Sequence, residues 1–383
     1  MAAEFYSDFT RHEAPQKRSL LVRLLDGCML LASIVFGVAL ALTLVVPFVN
    51  PSRVFFFPLL GLIAPAVYVA AVILALYWIV RWQWIRAGVL IGVILLASFD
   101  VPLFYRVQFR RTYGEPDYGR GTFRMMTYNV RGFYGDDRGS STDRIAALLD
   151  TLDLDLVCLQ EFNTALARRS SAMQQLLERY SVVGSHGRSD AGPMVILSKF
   201  PIVQSDTIPA LGKALWADVR IGEEVVRIFS NHLHTTEIKA YDDEFITQRL
   251  FLSDSTRWAR FRSIAGRHRR NSELRAQQVD RIASVIAATP TRYLVCGDFN
   301  DTPVSYVYRT MARGTKDAFS ECGTGYSHTF RGFFNTLRID YVLYSGGLEA
   351  LSYEVLPVSD CSDHLPVVVR LQKSEFSEPT SNQ

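Results

Sequence analysis

Two consecutive stretches without a charged side chain, Gly27–Ser52 and Val54–Val80, are separated only by Arg53 and set the first constraint on this chain. Each exceeds the roughly 20 helical residues that cross about 30 Å of hydrocarbon. They predict membrane-spanning helices over about 25–49 and 54–80. A third apolar run, Ala87–Phe99, ends at Asp100, Val101 and Pro102, so a third span over about 85–105 requires Asp100 to sit near a membrane surface. A cleavable signal peptide does not fit, because the first run is too long and lies behind more than twenty polar-rich residues.

The net charge of +3 matters less than where the cations fall. Arg11, Lys17, Arg18 and Arg23 lie in the segment 1–23, Arg53 lies in the first loop, Arg81 and Arg86 lie in the second, and Arg106, Arg110 and Arg111 follow the third run. Three spans with a cytoplasmic start put six of these inside and four outside. That bias favours an extracytoplasmic domain after the third span, whereas a two-span path would return the domain to the cytoplasm.

Composition changes near residue 106: apolar runs shorten, charges recur every few residues, and Tyr113–Gly121 reads as a linker within 106–120. The segment 121–373 is long enough to bury one full core, and 374–383 is polar enough to be a disordered tail. Strands are expected at Phe123–Val130, Leu154–Gln160, Met194–Leu197, Val225–Ser230, Tyr293–Cys296, Ile339–Tyr344 and Val367–Leu371. Thr142–Leu152, Ala172–Tyr180 and Leu274–Ala287 carry apolar residues at helical spacing, which makes the domain α/β. Between His234 and Pro290 the rhythm breaks. Acidic residues come first, then eight arginines from Arg257 to Arg281, which read either as solvated surface helices or as a patch for phosphate-bearing or anionic partners. Cys158 and Cys296 fall in strand-like runs, where buried free thiols are ordinary, while Cys322 and Cys361 lie in loop-like sequence and would pair only in an oxidising compartment.

Several apolar runs stop at residues able to bind a metal or move a proton, as α/β sheets do at strand ends. Asn129 closes Met125–Asn129, Glu161 follows Leu156–Gln160, Asp298, Asn300 and Asp301 follow Tyr293–Cys296, and Asp363 with His364 precedes Val367–Leu371. Singly, an Asn or an Asp-rich turn is ordinary punctuation. An adjacent Asp and His, however, can divide metal binding and proton transfer between them.

The order of these elements resembles that of the endonuclease/exonuclease/phosphatase family: Thr127–Val130 (TYNV), Leu159–Glu161 (LQE), Ile196–Ser198 (ILS), Ser230–Leu233 (SNHL), Gly297–Asn300 (GDFN), Ile339–Leu343 (IDYVL) and Ser362–His364 (SDH). Each string is short, but seven in sequence cover nearly the whole soluble domain. With three preceding spans, the chain resembles the family's bacterial membrane-bound members. The resemblance implies a two-sheet β-sandwich flanked by helices in four layers, a site where the sheet ends meet, and hydrolysis of a phosphate mono- or diester in a bacterial inner membrane. It implies Glu161 as principal Mg²⁺ or Mn²⁺ ligand with Asn129 and Asp363. Asp298 would orient or deprotonate water, and Asn300 would hold that water or a phosphate oxygen. His364 would contact phosphate or act as base with Asp340 fixing its tautomer, and His232 would donate to a phosphate oxygen.

Hard oxygen donors suit Mg²⁺ or Mn²⁺, and no Cys/His cluster at zinc spacing competes. Two departures stand out. Arg131 occupies a position where many nuclease members carry an acid, and the family's phosphate-contacting tyrosine lacks a counterpart before Met194. His234 and His328 read as surface or structural histidines. The expected partners are a phosphoester substrate, lipid-linked, nucleotide or nucleic acid, and the membrane, with no obligate protein partner evident. A nuclease and an inactive membrane scaffold of the same fold are the alternatives. The scaffold is disfavoured because Glu161, Asp298, Asn300, Asp340, Asp363 and His364 are all present.

Overall fold

The computed structural model describes residues 19–54, 56–107, 121–136, 139–185, 193–209, 214–235, 255–358 and 360–373. Most of the expected linker, the acidic stretch before Ser255 and the expected tail lie outside them. The chain divides into two compact units, one of 1–41 and 66–96, the other of 42–65 and 97–383.

Three helical segments, Leu20–Phe48, Phe57–Val80 and Trp84–Leu103, are long and apolar enough to cross a membrane. In the first unit Trp78 is fully buried among Leu74, Ala75, Ala87 and Leu90, with Met29 and Leu30 beside them. Its indole donates to Ser33 Oγ at 2.7 Å. Asp26 accepts from Tyr77 Oη at 2.6 Å and pairs with Arg81 at 2.9 Å, so this acid at the edge of the apolar run is not left uncompensated.

In the second unit, two six-stranded mixed sheets face one another. The first orders Leu348–Val355, Val367–Lys373, Thr122–Asn129, Leu156–Gln160, Val195–Ser198 and Ser181–Gly184. The second orders Lys316–Asp317, Asp340–Tyr344, Arg292–Asp298, Glu224–His232, Ala214–Ile221 and Ile202–Ile208. Each sheet has one parallel pair at its centre, Thr122–Asn129 with Leu156–Gln160 and Glu224–His232 with Arg292–Asp298.

Side-chain alternation builds the layers. Met125, Leu156, Cys158 and Ile196 of the first sheet meet Leu215, Ile228, Leu294, Cys296 and Val342 of the second in a dry core. On the outer face of the first sheet, Met126, Tyr128, Val157 and Leu159 receive Ile145 and Leu149 of helix Thr142–Leu152 and Met173 and Leu176 of helix Ser171–Leu177. On the other side, Phe229, Val295 and Tyr341 receive Val279, Ile282 and Ile286 of helix Ser255–Ala287. This is the expected four-layer sandwich, and it explains why the central strands read as unbroken apolar runs: both of their faces are buried.

Of the segment between His234 and Pro290, the acidic part lies outside the described residues, and Ser255–Ala287 is a helix of 33 residues whose basic stretch is not wholly a solvated patch. Arg275 is fully buried, 3.3 Å from Asp301 Oδ2, and donates to His234 O at 3.0 Å. Cys322 and Cys361 do not form a disulfide and lie in different core clusters.

A second buried ion pair ties the end of the third apolar helix to the sandwich. Arg338 reaches Asp317 at 2.8 Å and donates to Leu103 O at 2.9 Å. Removing one member of such a pair strands a buried charge, so Arg338→Met should lower stability by about 3–5 kcal/mol. An unchanged thermal midpoint would show that the pair contributes nothing.

Candidate active site

The two parallel pairs end side by side, and the residues that follow converge. Asn129 is the last residue of its strand, paired in register with Gln160, and Glu161 comes next. In the second sheet His232, Asp298 and Asp340 stand in one register across three strands. Alternation therefore sends their side chains to the same face. Gly297 makes this possible: its φ is +119°, and a Cβ there would lie 2.0 Å from Asn231 O. Arg131, Glu161 and Asn300 all hold positive φ at these strand ends (+47°, +55° and +52°), a backbone region that side chains other than Gly and Asn seldom adopt.

Asp298 is the hub. Its Oδ2 accepts from Asn129 Nδ2 at 3.1 Å and Asn300 Nδ2 at 3.0 Å, and its Oδ1 accepts from the Asn300 amide at 2.8 Å. Two imidazoles flank it, with His364 Nε2 at 3.7 Å and His232 Nε2 at 3.8 Å. His232 Nε2 is also 3.5 Å from Glu161 Oε1. His364 Nδ1 faces Asp340 Oδ2 at 3.0 Å, and the other oxygen of Asp340 is buried without a hydrogen-bond partner. Among the described residues, Asp298, Asp340 and His364 form an acid and imidazole cluster whose donor atoms lie within 4.8 Å of one another.

The SDH loop reaches the site because Ser362 Oγ donates to Asn129 O at 2.7 Å, which anchors it to the end of the first sheet's central strand. Asp363 then lies 3.5 Å from Arg131 Nε. The amide nitrogen of Asn129 faces Glu161 at 3.1 Å, while its oxygen accepts from the Arg131 backbone at 3.0 Å. Ligation by Asn129 therefore requires its amide to turn over, an exchange of nearly isosteric ends.

Burial pushes the Asp298 carboxyl up to about 7, against the lowering effect of His364. For His364 burial acts downward, but the carboxylates of Asp340 and Asp298 outweigh it and raise the imidazole to about 10. Asp340→Asn removes the larger of these stabilising charges. The His364 resonance in the metal-free protein should then titrate at distinctly lower pH, and an unmoved titration by NMR would refute the pairing.

One cavity of about 260 Å³ is lined by Arg131, Glu161, Asp298, Asn300, Asp363 and His364, so the expected ligand Glu161 shares a space with Asp363 and His364. Asp340 and His232 stand behind this wall, each against a group that lines it. The same cavity is bounded by Leu62, His268, Phe330, Leu337 and Ile339, which strand-end reading does not find. His268 hides in an arginine-rich helix, where burial and Arg275 push it down to about 3, and it faces Ser272 Oγ at 3.4 Å. Leu62 sits in an apolar run whose only legible property is hydrophobicity. His234 is held through its backbone by Gln278 and Arg275, as a structural residue would be.

A two-sheet sandwich with carboxylates, amides and imidazoles gathered at its strand ends defines a class of phosphoester hydrolases. The family described as Endonuclease/Exonuclease/phosphatase matches residues 126–364, more than half of the chain, and the chain belongs to it. Its members hydrolyse phosphoester bonds and generally use a divalent metal. Residues 24–102 match a domain of unknown function. Among solved structures, a Bacteroides thetaiotaomicron protein of the same family is 18% identical with a TM-score of 0.50, covering 67% of this chain and 100% of its own. A mannosyl-6-phosphatase from the same organism is 18% identical (TM-score 0.48, 65% and 99% covered). Caenorhabditis elegans TDP2 is also 18% identical (TM-score 0.44, 66% and 98% covered). No curated protein sequence matches.

Proposed function

We propose that this protein is a membrane-anchored, divalent-metal-dependent phosphoesterase that hydrolyses a phosphate mono- or diester by direct attack of water. The observation that carries the reading is Asp298. It is a buried carboxylate tuned to about 7, held by two amides, flanked by two imidazoles and open to a cavity that Glu161 and Asp363 also line.

The donor set fits a hard cation, since the oxygens available are carboxylates and an amide. Glu161, Asp363 and a turned Asn129 are the residues assigned to hold Mg²⁺ or Mn²⁺. Bound there, such an ion neutralises charge on the phosphoryl oxygens. Asp298, titrating near the operating pH, takes the proton from the attacking water, and Asn300 holds its carboxylate still through its backbone and side-chain nitrogens. A group raised to about 10 is a poor base at neutral pH, so His364 acts as an imidazolium donating through Nε2 to a phosphate oxygen, with Asp340 fixing Nδ1–H. His232, behind the cavity wall, faces the Glu161 and Asp298 carboxylates through Nε2 at 3.5 and 3.8 Å and helps to position them.

The test is a screen of the full chain in detergent with Mg²⁺ against DNA, RNA, phospholipids and sugar phosphates, reading strand cleavage and phosphate release separately. Turnover of none of them would sink the reading, and cleavage confined to nucleic acid with steep salt inhibition would establish a nuclease.

For sidedness, we place the catalytic domain outside the cytoplasm of a bacterial inner membrane. The cation distribution supports this. So does the first loop, which belongs to the catalytic unit and reaches it through Asn50 and Asp280 at 3.4 Å and through Phe48 under Arg309 at 3.7 Å. A three-span path puts that loop and the domain on one side. A carboxyl-terminal reporter active only in the cytoplasm would overturn it by working.

A further inference from the structure

Residues 57–65 begin the second apolar helix, yet they belong to the catalytic unit. Phe57, Pro58, Gly61 and Leu62 are buried at helical spacing, while Ile63 faces outward. Pro65 explains how this turn is fastened. A proline inside a helix has no N–H for the carbonyl four residues earlier, which here is Gly61 O. Thr302 Oγ1, just beyond the GDFN motif, donates to that carbonyl at 3.1 Å. The helix defect thus becomes an attachment point on the catalytic loop, and it brings Leu62 into the cavity wall.

Leu62 packs there with Leu337 and Ile339, with Phe330 and Phe333 against them. The cavity therefore has two chemically distinct sides. One carries Glu161, Asp298, Asp363 and His364. The other is apolar and starts on a helix that is itself long and apolar enough to cross a membrane.

Resting on the phosphoesterase reading, we propose that the substrate is a lipid phosphoester, whose phosphate sits among the acids and imidazoles and whose proximal acyl or alkyl carbons lie on Leu62, Phe330, Leu337 and Ile339. A space of about 260 Å³ accommodates a phosphate headgroup and the first carbons of a chain, leaving the remainder in the bilayer. The anchor itself contributes Leu62 to that apolar wall. Membrane attachment on this view supplies part of the binding site, beyond holding the enzyme near its substrate.

The experiment uses the full chain in lipid nanodiscs with Mg²⁺. It compares kcat/KM for oleoyl phosphatidic acid and phosphatidylglycerol with that for their deacylated forms, glycerol phosphate and glycerophosphoglycerol, with p-nitrophenyl phosphate and bis(p-nitrophenyl) phosphate as further soluble esters. At least one oleoyl lipid should be preferred over its deacylated form. Leu62→Asn and, separately, Phe330→Ser should each cut that preference about tenfold, the effect of losing contact with roughly two methylenes. Phe330 is only partly buried, so its variant reports on the wall even if Leu62→Asn does not fold. Hydrolysis of the soluble esters with no preference for oleoyl lipids would overturn the lipid assignment and leave the phosphoesterase standing. A preference unchanged in both variants would overturn the assigned wall. Failure to hydrolyse any phosphoester would overturn the phosphoesterase reading, and the lipid assignment with it.

Discussion

Asp298→Asn and His364→Ala should each lower kcat at least about a hundredfold, because positioned proton transfer typically contributes about 10²–10⁴. Asn at 298 keeps the shape of the side chain but cannot take a proton from water. Ala at 364 removes the imidazolium that Asp340 orients. The two losses should not add, since both groups serve the same transition state at a separation of 3.7 Å.

Stability separates chemistry from misfolding here. The folded pKa of Asp298 is raised from 3.8 to about 7, so its contribution to the stability of the metal-free protein is full below about pH 4 and is lost as pH rises through about 7. Asp298→Asn deletes that dependence, and the metal-free variant at neutral pH should be no less stable than the parent. Near-normal turnover in either variant would remove that residue from the mechanism. A hundredfold loss accompanied by a collapsed thermal midpoint would point to folding instead.

Chelation should reduce activity to background, and Mg²⁺ or Mn²⁺ should restore it. Glu161, Asp298 and Asp363 line the same cavity, and an anionic phosphate approaching three carboxylates meets repulsion that Arg131 and His364 only partly offset. A divalent cation among those oxygens reverses the sign of that interaction and neutralises charge as the phosphoryl group transfers. Glu161→Gln removes the negative charge of one ligand while keeping its length, so it should raise the metal concentration needed for half-maximal activity. Full activity after exhaustive chelation would refute the assignment of Glu161, Asn129 and Asp363 as a metal site.

How legible the fold was depended on burial. The central strands announce themselves because both faces are covered, so Phe123–Val130 and Val367–Leu371 match observed strands to within two residues at each end. Ile202–Ile208 reads as loop because most of its side chains face water at a sheet edge and carry no apolar pattern. Leu348–Val355 is likewise only half buried and carries no unbroken apolar run. The amino-terminal half of helix Ser255–Ala287 lacks apolar periodicity, so its pattern becomes visible only from Leu274 onward. Arg275 reads as one cation among many, because its partner Asp301 lies 26 residues away and nothing local marks it as buried.

Family resemblance implied the two-sheet sandwich, and the sequence by itself determined the three apolar runs, the α/β alternation and the set of acids, amides and imidazoles at strand ends. These are encoded in periods of two to four residues and in lengths measured against a bilayer, which neighbours along the chain suffice to reveal. Only the tertiary structure decided that Asp298 is the hub, that Asn129 presents its nitrogen to Glu161, and that Asp363 faces Arg131. Only the tertiary structure, too, put Leu62 in the wall of the cavity. The Gly61–Thr302 contact that places it spans 241 residues, and it exists because a proline frees one carbonyl where a catalytic loop happens to pass. Such contacts depend on how two sheets close against each other, and no local pattern carries that information.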